Sequence, residues 1–543
     1  MSFMYILGIN GGVRPGYQDI AACLIKDGKI CCAVEEERLN RIKFSPGQLP
    51  ELAVSECLKQ EGISIEDIDY VASHGITWGE EYEKKLKDYF LYTFGHIPAI
   101  EFVHHHDAHA ASAFYASGFD KAMILTMDAS GDGVSTEFAT GGDNNIKVLK
   151  RIDRPNSLGI FYSLITQFCG FRRDSDEYKL MGLAAYGDKN AYDLSPVLSY
   201  SNGEYNLNRE YLKPIKQGES QPSRQEMIFS NKLIELLGNK RLRHEPILQK
   251  HKDIAASAQK LLEDVVIDMV KDFHKKTGLR KICLAGGVAL NCLINQKIMN
   301  LDFIDDIYVQ PAAGDAGVAM GAAMYLSANK SIIPQPVKSA LLGTSYSNDE
   351  IEKILKDINI NYIRSGNITE YTAKIIAENK IVGWFQDKME FGPRALGARS
   401  ILANPAMPDV KNLINAKIKY REEYRPFCPS VTLEDFKKYF EGKAEKSPFM
   451  NITFDVIEDK KNLIPGIVHK DGTARIQTVD KEYQPRFYAL LKCFEKITGF
   501  PVLVNTSFNT NNEPIVATPY DAVATFFRSG LDALIIGDFV IEK

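Results

Sequence analysis

The sequence predicts an α/β protein whose N-terminal part consists of two similar halves. The first half begins with MYILGIN, a short apolar strand that ends in a polar turn, and continues with DIAACLIKDGKICCAVEEER, two strands joined by a hairpin turn. Near residue 120 the same order of strand, polar turn and strand returns in AMILTMDASGDGVSTEFATGG. Two such halves facing each other across a cleft are the ribonuclease H-like, duplicated architecture of actin-like ATPases.

The elements that follow also alternate between helix and strand. Apolar residues at helical spacing predict a helix over 253–276, and RKICLAGGVALNCLINQKI indicates a buried strand, a Gly-Gly turn and a helix start that presents N–H groups to an anion. The stretch 327–350 is rich in Ser, Pro and Asn and marks a domain boundary. The strands KIVGWF, PVLVNTSF and ALIIGDF, with helical segments between them, predict a second α/β domain. We therefore expect domains at 1–338 and 339–543.

Composition excludes several classes of protein. The chain has 543 residues, of which 45% are hydrophobic, and its net charge is −5, so it has no overall attraction for nucleic acid. The nine cysteines form no CxxC pair, which favours reduced thiols in the cytoplasm over a zinc-thiolate site. The N-terminus lacks the pattern of a signal peptide, and no apolar run approaches about 18 residues, so we expect no membrane segment.

Four of the ten histidines fall in FVHHHDAHAASAFYASGF, residues 102–119. His105 and His109 are four residues apart, which on a helix places both imidazoles on one face and suits a metal site. Asp128 and Asp315 each follow an apolar strand at a Gly-rich turn and are the best candidates for further ligands. Two histidines and two carboxylates suit iron or manganese better than structural zinc. The alternative is that the histidines lie on a helix surface and the aspartates cap helices.

A series of motifs in order along nearly the whole chain resembles the O-carbamoyltransferase family, which includes enzymes of nodulation-factor, cephamycin and nebramycin biosynthesis. The N-terminal motifs are ILGINGG, AVEEERLNRIKF, HHHDAHAASAF, MDASGDG, EYKLMGLAAYG, LAGGVALNCLIN and GDAGVAMGAA. The C-terminal motifs are EFGPRALGARSIL, KIKYREEYRPFCPSV, DGTARIQTV and PVLVNTSFNTNNEPIV. Residues 190–250 are the least similar to the family.

The resemblance implies a Kae1-like N-terminal domain and a YrdC-like C-terminal domain. In the family, the C-terminal domain makes carbamoyl adenylate and pyrophosphate from carbamoyl phosphate and ATP, and Mg²⁺ is expected with the ATP. The N-terminal domain then transfers the carbamoyl group to an acceptor hydroxyl and releases AMP, with the help of bound iron (Fe²⁺). The positions that match the family's metal ligands are His105, His109, Asp128 and Asp315.

The resemblance also assigns binding residues, and their chemistry fits the ligands. Carbamoyl phosphate is a small dianion, for which guanidinium and ammonium groups are suitable partners. Its expected contacts are Lys419, Arg425, Arg475 and Ser507. The expected contacts of ATP or the adenylate are Gly131, Gly133, Lys179, Gly286, Gly287, Asn291, Arg394 and Ser400.

The two arginine-rich C-terminal segments are interpreted differently. EFGPRALGARS, with Arg394 and Arg399 among Gly, Pro and Ala, indicates a tight anion-binding loop. KIKYREEYR could either supply the cations that contact carbamoyl phosphate or be an exposed, charged helix face.

The chain departs from the family shortly after the first strand, where a His-Asp pair with a nearby Ser is usual. Here the sequence is NGGVRPGYQDIAACL, in which Asp19 is kept, Tyr17 or Gln18 replaces the histidine, and Ala21 replaces the serine. Asp19 or His106 could act as the base, the acceptor could be unusual, or transfer could be impaired. We favour an unusual acceptor, because a Tyr or Gln at the mouth can stack on or hydrogen-bond to a flat ring. The expected catalytic residues are His109, Asp19, Tyr17 and Arg475.

The first hypothesis is thus an ATP-dependent O-carbamoyltransferase that acts on the hydroxyl of a sugar or secondary metabolite. A hydroxymethylated nucleobase in nucleic acid, such as hydroxymethylcytosine in DNA, is the alternative acceptor. The segment 209–252 motivates it, because ten Lys or Arg against five Glu give a local net charge of +5, although a solvated insertion is the favoured explanation of that charge. A hypothesis of another class is an actin-like ATPase switch subunit without carbamoyl chemistry. Assembly into a homodimer is left open.

Overall fold

The first half of the N-terminal part is a five-stranded sheet of order β3-β2-β1-β4-β5. The structure is a computed structural model that describes residues 3–12, 19–214 and 226–543. The strands are β1 (Tyr5–Asn10), β2 (Ala21–Lys26), β3 (Lys29–Glu35), β4 (Tyr70–Ser73) and β5 (Ala99–Phe102). The helices are α1 (Glu36–Asn40), α2 (Glu51–Glu61), α3 (Gly79–Phe94) and α4 (His105–Ser117).

The second half contains a five-stranded sheet of order β12-β11-β6-β7-β8 and a separate hairpin of β9 and β10. Its strands are β6 (Lys121–Gly131), β7 (Val134–Gly142), β8 (Asn145–Asp153), β9 (Leu198–Ser201), β10 (Glu204–Leu207), β11 (Lys281–Ala285) and β12 (Asp306–Val309). Its helices are α5 (Leu158–Phe168), α6 (Glu177–Ala184), α7 (Asn231–Leu237), α8 (Gln249–Thr277), α9 (Cys292–Met299) and α10 (Ala316–Asn329).

The two halves share one topology. In each, three consecutive strands pair antiparallel, and the first of them pairs parallel with a fourth strand that pairs parallel with a fifth. A helix follows the fifth strand in both halves, and these helices, α4 and α10, pack closely: a Cβ added to Gly321 would lie 1.8 Å from the carbonyl oxygen of Ala108. The predicted duplicated, actin-like fold is confirmed, as is the helix predicted over 253–276, which makes up most of α8.

One local prediction differs. The Gly-Gly turn after β11 does not lead directly into a helix, because residues 287–290 form a 3₁₀ turn and α9 begins only at Cys292. Asn291 caps this helix, since its side chain accepts a hydrogen bond from the N–H of Ile294.

The C-terminal part is a second α/β unit with an eight-stranded sheet of order β13-β23-β22-β14-β15-β21-β16-β20 and a small sheet of β17, β18 and β19. The strands are β13 (Ile363–Arg364), β14 (Val382–Phe385), β15 (Arg399–Ala403), β16 (Cys428–Thr432), β17 (Phe440–Glu441), β18 (Thr453–Val456), β19 (Thr473–Arg475), β20 (Gln477–Val479), β21 (Val502–Ser507), β22 (Ala533–Ile536) and β23 (Phe539–Glu542). The helices are α11 (Asn348–Asp357), α12 (Ile368–Ala377), α13 (Val410–Ile414), α14 (Pro485–Thr498) and α15 (Pro519–Arg528).

Near the predicted boundary the chain makes hydrogen bonds to both parts. Val337 donates its N–H to the carbonyl of Ala116 in the first part, whereas the carbonyl of Ala340 accepts from Phe391 in the second. The boundary at 338/339 itself stays a prediction. Among the described residues, no helix is both long and apolar enough to cross a membrane.

Candidate functional site

Helix α4, strand β6 and the loop before α10 bring together four side chains predicted to hold a metal. Nε2 of His105 lies 3.4 Å from Oδ2 of Asp128 and 3.6 Å from Oδ1 of Asp315, and Nε2 of His109 lies 3.3 and 3.7 Å from the same oxygens. The four ligand atoms all lie within 4.8 Å of one another. His105 and His109 are buried, as expected for residues one turn apart on the inner face of α4.

These separations fit a bound ion. Nitrogen and oxygen ligands at about 2.1 Å from one ion in tetrahedral geometry lie about 3.4 Å apart. The capping alternative is wrong for both carboxylates. Asp128 lies within strand β6, and Asp315, although it precedes α10, makes no capping hydrogen bond.

The protonation states of His109, Asp128 and Asp315 depend on one another. Burial alone would lower the pKa of His109, but hydrogen bonds to Asp128 and Asp315 raise it to about 9. Burial acts to raise the pKa of Asp128, yet hydrogen bonds from His105 and His109 hold it well below its usual value. Burial and the charge of Asp128 raise the pKa of Asp315. Two acidic groups therefore surround an imidazole that holds a proton, an arrangement suited to exchange that proton for a metal cation.

Glycine allows the backbone to approach these ligands. A Cβ added to Gly131 would lie 1.9 Å from Cδ2 of His105, far inside van der Waals contact, and one added to Gly287 would lie 3.3 Å from Oδ1 of Asp128. Gly286 has φ +86° and packs against the backbone of Met127. By contrast, nothing lies within 4 Å of an added Cβ at Gly133. Two of the glycines predicted to contact nucleotide, Gly131 and Gly287, thus lie against ligands of the metal cluster.

The other histidines of the motif support the cluster. His104 begins α4 and accepts a hydrogen bond from the N–H of His106. His106 is fully buried, with Nδ1 2.6 Å from Oγ1 of Thr126 and Nε2 3.1 Å from the carbonyl oxygen of Val134. Both of its ring nitrogens are therefore engaged, which leaves Asp19 as the better candidate for a base.

Two contacts to His105 could not be read from spacing. Asp132 accepts the backbone N–H of His105 at 2.9 Å and the hydroxyl of Thr77 at 2.7 Å. The ring of His74 meets that of His105 edge-on, with 5.3 Å between the ring centres. Burial, and to a smaller extent the charge of His105, lowers the pKa of His74 to about 3. The only sequence signal for His74 is its position directly after the strand β4.

Asp19 lies close to the loop that carries Asp315. Its Oδ2 atom is 3.6 Å from the position of a Cβ added to Gly314. Its backbone is fixed by Asn10, whose side chain donates to its carbonyl at 2.7 Å, and by Phe44, whose carbonyl accepts its N–H at 3.1 Å. Tyr17 and Gln18 lie outside the described residues.

The C-terminal part holds a cationic pocket, in which Lys419 is buried and the surrounding arginines are half-buried. Nζ of Lys419 contacts the carbonyl and hydroxyl of Ser507 and the carbonyl and side-chain oxygens of Asn509. Burial, with repulsion from Arg421 and Arg425, lowers the pKa of Lys419 well below its usual value. The helix-face interpretation of KIKYREEYR is wrong, because a π-helical turn over Asn415–Lys419, which continues α13, ends at the buried Lys419, and the arginines follow in a loop.

Arg475 and Arg394 extend this cationic pocket. Burial followed by the charge of Arg475 lowers the pKa of Arg394 to about 9. Arg475 lies close to the thiols of Cys428 and Cys292, and although burial acts to lower the pKa of Arg475, the charges of these thiols raise it. Burial would raise the pKa of Cys428, but Arg475 and its other basic neighbours lower it to about 6. Positive groups packed this closely favour a bound anion.

The cationic pocket faces the N-terminal part. The guanidinium of Arg425 lies 4.6 Å from the ring centre of Tyr178, and Lys179 pairs with Glu422 at 3.3 Å. Lys179, predicted to contact nucleotide, therefore lies where α6 meets the cationic loop. The side chain of Asn291, predicted for the same role, forms a buried amide pair with Gln259 as well as capping α9.

The backbone of the loop EFGPRALGARS binds the carboxylate of Glu390, which is the first residue of the same loop. Oε1 of Glu390 accepts the N–H groups of Leu396, Ala398 and Arg399 at 2.7 to 3.0 Å. Arg399 is fully buried and donates to the carbonyls of Gln386, Asp387, Ala398 and Thr344, so its expected place among the ligand-binding cations is wrong. Ser400 accepts the N–H of Gly397 at 3.1 Å. Arg394 is the arginine of this loop that faces the pocket.

The basic segment uses several of its cations internally. Arg241 is buried and donates to the carbonyls of Cys169, Arg243 and Glu245, and Lys232 pairs with Glu210. Lys216 and Arg224 lie outside the described residues.

The chain matches two family models. Residues 79–324 match the family model for the carbamoyltransferase N-terminus, and residues 373–543 match that for the carbamoyltransferase C-terminus. The nodulation protein NolNO of Sinorhizobium fredii is 36% identical over 99% of this chain and 83% of its own length. The uncharacterized Synechocystis protein sll1178 is 38% identical over 98% of this chain and 96% of its own length.

Likeness to solved structures is weaker. Component A of (R)-2-hydroxyglutaryl-CoA dehydratase from Acidaminococcus fermentans is 16% identical and has a TM-score of 0.36, covering 60% of this chain and 99% of that chain. HypF of T. kodakarensis is 16% identical and has a TM-score of 0.34, covering 61% of this chain and 49% of that chain. The assignment rests on the sequence matches, which show that this chain belongs to the carbamoyltransferase family and is an enzyme of that class.

Proposed function

We propose that the protein is an ATP-dependent O-carbamoyltransferase with one site for activation and another for transfer. One observation carries this proposal: the fold holds two clusters of opposite chemistry, an imidazole–carboxylate cluster in the N-terminal part and a cationic pocket in the C-terminal part. The first suits a metal cation, whereas the second suits a phosphate dianion. The proposal includes the division of the chain at 338/339.

In the activation step, the carbamoyl group of carbamoyl phosphate ends on the α-phosphate of ATP. The balance requires one water to enter and both pyrophosphate and inorganic phosphate to leave. Lys419, Arg425, Arg475 and Ser507 would bind carbamoyl phosphate, and Arg394 would offset the charge that develops on the departing pyrophosphate. Mg²⁺ would accompany ATP.

In the transfer step, the acceptor hydroxyl attacks the carbamoyl carbon and AMP leaves. Asp19 would take the hydroxyl proton, since its carboxylate lies beside the loop of Asp315. His105, His109, Asp128 and Asp315 would hold the metal, which we propose to be iron and which supplies Lewis-acid polarisation of the carbamoyl carbonyl or a grip on the adenylate phosphate. The absence of side chains at Gly131, Gly133, Gly286 and Gly287 would leave room for the adenylate.

The acceptor that we propose is a hydroxyl of a sugar or secondary metabolite. A hydroxymethylated nucleobase is the second candidate, supported by the net positive charge of 209–252, although Arg241 and Lys232 of that segment are engaged within the protein. For a nucleic-acid acceptor, activity on DNA would fall steeply with added salt, whereas activity on the free nucleoside would not.

A screen tests this proposal. The protein, loaded with Fe²⁺, is incubated with ATP, Mg²⁺, carbamoyl phosphate and a panel of sugars, hydroxyl-bearing metabolites, nucleosides and hydroxymethylated DNA. We expect one compound class to gain the mass of one carbamoyl group, and only when both ATP and carbamoyl phosphate are present. Pyrophosphate release that needs no carbamoyl phosphate would instead favour an ATPase without carbamoyl chemistry.

A further inference from the structure

A buried arginine in the motif AVEEERLNR connects the two parts of the protein. Arg38 belongs to the short helix α1, and its side chain is 3% exposed. Its Nη2 atom donates to the carbonyl of Gly392 at 2.9 Å and to Oε1 of Glu35 at 3.1 Å. The same Glu35 oxygen accepts the N–H of Gly392 at 2.9 Å. Arg38 and Glu35 of the N-terminal part therefore hold both backbone groups of one C-terminal residue.

The C-terminal end of this connection is the loop that contains Arg394. Gly392 lies two residues before Arg394 and two after Glu390, whose carboxylate holds the loop together. Gly392 has φ +115°, and a Cβ added there would lie 2.8 Å from the carbonyl oxygen of Pro311. Pro311 precedes Asp315 by four residues, so Gly392 also packs against the loop that carries a metal ligand.

The N-terminal end of the connection is Asp19. Nη1 of Arg38 pairs with Oε1 of Glu37 at 2.7 Å. The other oxygen of Glu37 accepts the N–H of Phe44 at 2.7 Å, and the carbonyl of Phe44 accepts the N–H of Asp19 at 3.1 Å. An unbroken series of polar contacts thus runs from the candidate base in one part to the Arg394 loop in the other.

A second arginine makes a parallel connection three residues later. Arg41 donates to the carbonyl of Ile515 at 2.6 Å and to that of Pro514 at 2.8 Å. These carbonyls follow the loop of Asn509, whose side chain donates to the carbonyl of Glu513 at 2.6 Å and accepts from Lys419. Arg38 and Arg41, which follow β3, therefore donate hydrogen bonds to two separate segments beside the cationic pocket, one before Arg394 and one after Asn509.

We infer that Arg38 is a positioning residue that fixes the Arg394 loop against the Asp19 and Asp315 loops, so that the carbamoyl adenylate passes between the two sites without escaping. This inference rests on the proposed function. The geometry requires a guanidinium, because Arg38 reaches Glu35, Glu37 and Gly392 at once, and the single ammonium of lysine cannot span all three. A carbamoyl adenylate in solution reacts with water, so a small misalignment of the two parts would waste it.

The test measures escape of the intermediate and needs no natural acceptor. Hydroxylamine in solution traps free carbamoyl adenylate: its nitrogen forms a bond to the carbamoyl carbon and loses a proton, the bond from that carbon to the phosphate oxygen breaks, and hydroxyurea and AMP result. The ratio of hydroxyurea to pyrophosphate reports leakage. Exchange of labelled pyrophosphate into ATP, dependent on carbamoyl phosphate, reports activation separately.

We expect Arg38→Lys to keep activation within about threefold of the wild type and to raise the leakage ratio about tenfold or more, since displacements near 1 Å cost up to about 10²-fold in positioning. Glu35→Gln keeps an acceptor for Gly392 and should show a smaller increase. Arg241→Lys is the matched control, because Arg241 is also buried but binds carbonyls of the N-terminal part alone.

The possible outcomes separate the two claims. A leakage ratio unchanged in Arg38→Lys, or raised equally in Arg241→Lys, would overturn the positioning role while leaving the proposed function intact. If Arg38→Lys does not fold, Arg41→Met, at a side chain 28% exposed, carries the same expectation, and an unchanged ratio there overturns the inference. Absence of carbamoyl-phosphate-dependent exchange in the wild type would overturn the proposed function and the inference with it.

Discussion

Gly131→Ala should damage the metal cluster without affecting activation in the C-terminal part. The added methyl carbon would lie 1.9 Å from Cδ2 of His105 and 2.5 Å from its Nε2. Ordinary contact between carbon atoms is about 3.5 Å, so the imidazole would have to move by about 1.6 Å. His105 cannot move far, because its N–H is bound by Asp132 and its ring meets that of His74.

The expected size follows from that displacement. A ligand moved by more than 1 Å no longer lies within the tolerance of about 0.2 Å that a metal site allows. We therefore expect Fe²⁺ or Mn²⁺ to bind at least about 10- to 100-fold more weakly to Gly131→Ala than to the wild type. Overpacking should also lower the free energy of unfolding by about 1–3 kcal/mol.

The assay is metal titration of the metal-free protein by calorimetry, with pyrophosphate exchange as a second readout. Gly142→Ala is the matched control: it lies at the end of the next strand, and its added Cβ would meet only the Lys121 side chain, at 3.5 Å. We expect exchange to stay normal in both variants and metal affinity to fall in Gly131→Ala alone. Equal metal affinity in the two variants would refute the reasoning that His105 is a ligand held against Gly131.

Three further predictions concern the two sites. Arg475→Ala should abolish carbamoyl-phosphate-dependent pyrophosphate release, whereas His109→Ala should spare that release and stop carbamoyl transfer; equal loss of release in both would contradict two separate sites. Because the pKa of His109 is raised to about 9, metal must displace its proton, so metal affinity measured by calorimetry should rise about tenfold per pH unit up to about pH 9. Iodoacetamide should label Cys428, whose pKa is about 6, faster as pH rises through 6, and carbamoyl phosphate should protect it; mass spectrometry of Cys428→Ser provides the control.

Local patterns in the sequence were sufficient for much of the fold and for the metal cluster. The repeated order of strand, polar turn and strand predicts the two matching sheets, because strand alternation and turn residues are local signals. The spacing of His105 and His109 predicts their common face for the same reason. Asp128 and Asp315 could be added because carboxylates at strand ends tend to meet at one edge of a sheet.

The remaining features depend on contacts between distant residues. From the sequence, Arg399 is expected to be a second anion-binding arginine. In the fold its guanidinium instead donates hydrogen bonds to the carbonyls of Thr344 and Gln386. The contact between Arg38 and Gly392 joins residues 354 positions apart, and no spacing rule relates them. Hydrogen-bond partners of this kind are set by how the two parts pack and cannot be derived from periodicity.

The charges of the two sites connect stability to ligand binding. Arg394 and Arg475 repel each other inside the protein, and Lys419 is buried close to Arg421 and Arg425. Such repulsion disfavours the folded state until an anion binds, so a dianion should stabilise the C-terminal part by mass action.

The metal cluster, by contrast, should be stabilised by a bound cation. Asp128 and Asp315 lie half-buried beside each other and raise the pKa of His109, so a divalent cation there would replace a single proton with two positive charges. Each cluster thus favours the ligand that the other would repel. On the proposed function, this separation explains why a dianionic substrate is activated away from the metal, and why one chain must then hold both sites in fixed register to transfer an intermediate that water would destroy.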